Sequence, residues 1–70
     1  MRPREKLLCL GGPHDGDRLR PERADGYGRV GLEDGLVVLV HATMADRLVD
    51  ADVVFGWLRR ARKSYGLDEE

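Results

Sequence analysis

Two histidines, one cysteine and a short run of cations are the residues of this chain that could do chemistry. His14 stands beside Asp15, and His41 closes the longest apolar run. A His–Asp pair can anchor a metal ion or orient a general base, but hydrolytic metal sites gather further ligands from several elements. Cys9 is the only cysteine, so no internal disulfide forms and a four-ligand zinc site would have to draw on His14 and His41 alone. Cys9 lies in an apolar strand, where it reads as a small buried hydrophobe; a reactive thiolate needs electropositive neighbours. Gly11-Gly12-Pro13 is not a phosphate loop, because neither Lys-Ser nor Lys-Thr follows and no helix begins there. His14 is therefore read as a turn residue and His41 as a strand-end residue. No catalytic, metal-binding or cofactor-binding residue is assigned, and an enzyme is not expected.

The cations Arg59, Arg60, Arg62 and Lys63 have two readings. They complement the C-terminal end of a helix and solvate it. Alternatively they form a docking patch for phosphate or for an acidic protein surface, with Trp57 and Tyr65 as aromatic anchors and Trp57 within a partner's reach near the edge of the apolar stripe. A net charge of -1 argues against a dedicated nucleic-acid binder, which normally shows a basic excess. No stretch approaches the roughly 20 apolar residues of a membrane span. The lone cysteine suits a reducing, cytoplasmic setting.

The elements that must hold these residues follow from the apolar pattern. Seventy residues make one domain, 1–70, with its ends at 1–4 and 67–70 expected to fray. Residues 36–42 are apolar on both faces as far as His41, the mark of a strand covered on both sides. Asp34-Gly35 before it signals a two-residue hairpin with residues 27–33. Residues 5–10 read as a first strand, stopped by Gly11-Gly12-Pro13, and 17–20 as a short edge strand. The polar segment 21–26 is expected to be a mobile loop tip. From Thr43, a capping residue with Asp46 three positions on, apolar residues recur at helical spacing through Met44, Leu48, Ala51, Val54, Leu58, Ala61 and Tyr65. Phe55 and Trp57 flank that stripe, and Gly66 is placed to end it. Asp50 is an alternative N-cap that would split the segment in two. The fold class is α+β: a small antiparallel sheet of three or four strands with one long C-terminal helix across one face. That helix covers one side of the central strand. The other side is left for a partner or a second copy, unless the first strand and residues 21–26 fold over it.

Gly11-Gly12-Pro13-His14-Asp15-Gly16, after an apolar strand and before Arg18-Leu19-Arg20, resembles a motif of small tailed-bacteriophage and prophage proteins. There too a Pro-containing loop and a strand with an early Tyr follow, as Pro21 and Tyr27 do here. The likeness covers the first 30–40 residues and implies a phage-type origin, in a host cell or a phage particle, without assigning an activity. The expected function is a non-catalytic protein-binding module, part of a larger assembly or an inhibitor of a host protein, with self-association open. The alternative is a nucleic-acid accessory protein that uses the basic helix end.

Overall fold

In a computed structural model, which describes residues 6–67, the chain is a four-stranded sheet with a C-terminal helix. The strands are β1 (Leu7–Leu10), β2 (Arg18–Leu19), β3 (Tyr27–Gly31) and β4 (Val37–His41), in the spatial order β2-β1-β4-β3. The α+β class holds. The sheet is mixed: β2 pairs antiparallel with β1 and β3 with β4, but the two central strands run parallel, Cys9 beside Leu39 and Leu10 beside Val40. A parallel pair needs a long crossover. Here the connection between β1 and β4 is long enough to contain both edge strands. Glu5 and the ends 1–4 and 68–70 lie outside the described residues.

The central strands are covered on both sides, as a doubly apolar run requires. Leu8, Leu10, Leu36, Val38 and Val40 face Trp57, Leu58 and Ala61 on one side. On the other, Cys9 and Leu39 pack with Ala24, flanked by Leu7, Leu19 and Tyr27. Residues 21–26 are thus no loose tip. Pro21–Arg23 form a 3-10 turn, and Ala24, buried, closes the second face. Burying a leucine such as Leu39 contributes about 1.5–3 kcal/mol. The chain gains that from its own loop, so no open central face is left to call for a partner.

The hairpin uses a three-residue turn, Glu33–Gly35, instead of Asp34-Gly35 alone, and Leu32 N–H donates to Leu36 C=O at 2.6 Å. Gly35 takes φ +75, the left-handed position that ends such turns. The extra residue slips the register by one and reverses which face each β3 side chain meets. Val30 comes opposite Val38 on the helix side and Arg29 opposite Leu39 on the other. A two-residue turn would have taken Val30 away from the main core.

After β4 the chain does not enter one long helix. Ala42–Val49 wind as a 3-10 helix, and the α-helix proper, α1, spans Ala51–Ser64. Asp50 caps it, Oδ1 accepting from Asp52 N–H at 3.0 Å and Val53 N–H at 3.4 Å. The expected cap at Thr43 is replaced by His41, whose Nδ1 accepts from Thr43 N–H at 3.3 Å. The C-terminal end is as expected. Leu67 N–H reaches Arg62 C=O at 2.7 Å and Gly66 N–H reaches Lys63 C=O at 3.2 Å, the paired bonds of a Schellman ending.

Candidate functional site

The Gly11–Gly16 motif is the loop between β1 and β2, and its shape depends on a residue of β3. Tyr27 passes its hydroxyl under the loop, donating to Gly11 C=O and accepting from His14 N–H at 2.9 Å. The Tyr27 ring meets the His41 ring edge-on, centroids 4.9 Å apart. Gly11 and Gly12 both take positive φ, and a Cβ at either would strike a neighbour: Met44 Cγ at 2.5 Å for Gly11, His41 Cδ2 at 2.4 Å for Gly12. The two glycines are there because the loop backbone lies directly on Met44, His41 and Tyr27. Asp15 seals the loop, Oδ1 accepting from Gly11 N–H at 2.7 Å.

This geometry separates His14 from Asp15. The Asp15 carboxylate turns to Gly11 N–H and to Arg60, 3.4 Å away. The acid nearest His14 is Asp17, at 3.9 Å. His41 Nδ1 is engaged by Thr43, whose Oγ1 is 2.9 Å away. Among the described residues no group of three or more His, Cys, Asp or Glu side chains is placed to hold a metal ion. Cys9 is fully buried, and burial first of all, with smaller contributions from Asp17 and Asp15, pushes its thiol above the ordinary 9.0 against a lowering hydrogen bond with the Leu19 backbone. These hydrogen bonds fix the loop, with Tyr27 packing on the His41 ring and His41 capping the segment that follows.

The basic run divides among three directions. Arg60 leans to the Asp15 loop; both partners are about half exposed, 47% and 48%, so the pair contributes about 0.2–1 kcal/mol at most. Arg62 is half-buried. Arg59 and Lys63 are exposed, and a spacing of four residues sets them one above the other on α1. Phe55, four residues before Arg59, extends the same stripe and is 52% exposed. Trp57 is not the reachable aromatic expected from the sequence. It is 5% exposed and sits in the main core with Leu58 and Ala61. Tyr65 is half-buried and structural in its contacts: its hydroxyl accepts from Leu8 N–H and donates to Val37 C=O at 3.2 Å, bridging β1 and β4 below their last ladder pair. The Arg18 guanidinium lies 5.6 Å from the Tyr65 ring centre.

Sequence reasoning missed Tyr27 as the support of the loop and Phe55 as the exposed aromatic. The one available sign for Tyr27 was that a polar-tipped aromatic in a half-buried strand needs a hydrogen-bond partner. No family model, curated protein or solved structure matches this chain.

Proposed function

We propose that the chain is a small, non-catalytic protein-binding module, of phage type on the likeness of its loop motif, working inside a larger assembly or as an inhibitor of another protein. The observation that carries the reading is the stripe Phe55, Arg59 and Lys63 on the outer side of α1. An exposed aromatic beside two cations matches the anchors that protein interfaces favour, and its complement is an acidic surface with an apolar recess. Nucleic acid is the second reading, through the same two cations. Asp52, exposed on the first turn of α1, and the net charge of -1 weigh against a polyphosphate partner.

The experiment is affinity capture with the immobilised protein, run beside the double variant Arg59→Glu with Lys63→Glu. Both side chains are exposed, so the variant still folds cooperatively while the captured protein is lost. Each charge reversed near the helix C-terminus costs only about 0.3–1 kcal/mol. Capture that survives the double reversal sinks the reading. Recovery of nucleic acid, with affinity falling steeply with salt, would transfer the stripe to the second reading.

A further inference from the structure

β3 is an edge strand: among the described residues no other strand pairs with it along its outer side. Gly26 C=O accepts from Ala42 N–H at 2.9 Å and Leu32 N–H donates to Leu36 C=O at 2.6 Å, which fixes the phase of the β3–β4 ladder. In an antiparallel pair bonded and outward-facing residues alternate, so Gly28 and Val30 bond to β4 while Tyr27, Arg29 and Gly31 point their N–H and C=O groups away. Tyr27 N–H is taken up by Ala24 C=O at 3.1 Å. Arg29 and Gly31 keep theirs for the solvent side. Natural edges are blunted by proline, bulges or inward charges; β3 has no proline, and two of its five residues are glycine.

Beside this edge lies an apolar groove of about 360 Å³, floored by Val30 and Val40 and walled by Ala42, Ala45 and Leu48 of the 3-10 segment. It exists because Gly28, opposite Val40, has no side chain; a Cβ built there meets nothing within 4 Å. None of the residues lining it belongs to α1.

We propose that the β3 edge and this groove form a strand-addition site for an extended segment of another protein, one that alternates apolar and acidic residues. The alternation follows from the pleat. A partner residue bonded opposite Arg29 shares its face of the sheet, where a carboxylate meets the guanidinium. The next residue turns to the other face, beside Gly28 and Val30, and enters the groove. A second copy of β3 is a poor occupant. The two-fold register that pairs all five residues sets Arg29 opposite Arg29, like charges face to face. The site is independent of the α1 stripe.

The test uses a short synthetic peptide alternating valine and glutamate, titrated into the full-length protein and followed by amide NMR and calorimetry. Binding should shift the Arg29 and Gly31 amides and slow their hydrogen exchange. Gly31→Pro removes an outward N–H that an edge strand can spare, and Gly28→Val puts a branched side chain into the groove from a Cβ position that has open space; each should weaken binding about tenfold or more. The lysine-for-glutamate peptide should also bind about tenfold or more weaker. The Arg59→Glu, Lys63→Glu double variant should bind the peptide as wild type does, so this result and that for the α1 stripe fail separately. Three outcomes overturn the proposal: shifts confined to other elements, affinity indifferent to Gly31→Pro and Gly28→Val, or a homodimer that protects the same amides without peptide.

Discussion

Replacing Gly12 by alanine tests whether the loop truly rests on Tyr27 and His41. At φ +71, a Cβ on residue 12 lies 2.4 Å from His41 Cδ2, 2.6 Å from His41 Cγ and 2.7 Å from the Tyr27 hydroxyl oxygen, all inside the 3.0 Å that real Cβ atoms respect. Neither neighbour moves freely. His41 is held through Nδ1 by Thr43, and the Tyr27 hydroxyl is held between Gly11 C=O and His14 N–H. The left-handed backbone alone costs a non-glycine about 1–2 kcal/mol. Forcing the two rings apart adds about 1–3 kcal/mol. Gly12 itself is exposed, so the loop can lift partly into solvent, and we take about 2–4 kcal/mol for the sum of these terms. Gly35 is the internal control. Its φ is +75 but a Cβ there has open space, so Gly35→Ala carries only the backbone cost of about 1–2 kcal/mol. A domain of this size is stable by roughly 4–10 kcal/mol in all. Urea denaturation followed by Trp57, the single tryptophan and a buried one, measures both variants. The expected order is Gly12→Ala well below Gly35→Ala, with the melting point falling about 4–8 °C per kcal/mol. Equal losses within about 0.5 kcal/mol would refute the docked loop, since the backbone cost is common to both.

Two further outcomes test the helix entry and the buried thiol. Asp50→Ala should cost about 0.5–2 kcal/mol by removing the N-cap of α1, whereas Thr43→Ala, at the cap expected from sequence, should cost less; urea midpoints decide the order. The Cys9 thiol has a folded pKa raised above 9.0, so stability is whole below that pH and falls as pH rises, because the unfolded chain releases a proton the folded one keeps. Under reducing conditions the wild type should lose up to about 1.4 kcal/mol more than Cys9→Ala between about pH 8 and pH 10, and parallel curves would show the thiol has no such role.

The sequence showed where the strands lie more clearly than how they pair. Val37 to Val40 is apolar on both faces, and a strand is the short element that can bury both. Register was hidden because it turns on one residue: Asp34-Gly35 suits a two-residue turn, and only the gain of placing Val30 against Val38 selects the three-residue one. The covering of the second face was legible only as an alternative, with residues 21–26 folding over it, and the residue that does so was not. In a polar segment a single alanine, Ala24, does that work, and one small apolar residue carries no periodicity to detect. The loop motif was recognisable as a turn, yet its support was not. The Tyr27 hydroxyl meets backbone atoms 13 and 16 residues away, and backbone partners leave no mark in residue type.

Phe55 and not Trp57 is the exposed aromatic because the apolar stripe of α1 is wider on the Trp57 side. Reading one α-helix from Met44 fixes the orientation of every later residue at about 100° per step. A 3-10 helix advances about 120° per step, so over the eight residues of Ala42–Val49 the phase drifts by about 160°. Asp50, extended at φ -94 and ψ 111, then resets it. The stripe expected from the sequence nonetheless survives in α1, where Val54, Leu58, Ala61 and Tyr65 all meet the main core. Within α1 the buried residues Trp57, Leu58 and Ala61, with Val53, Val54 and Tyr65 against the same core, centre the apolar stripe on the Trp57 side and turn Phe55 out toward Arg59 and Lys63. The breadth of the covered face, which takes in Val53 and Trp57 beside the expected stripe, therefore decides which aromatic a partner can meet.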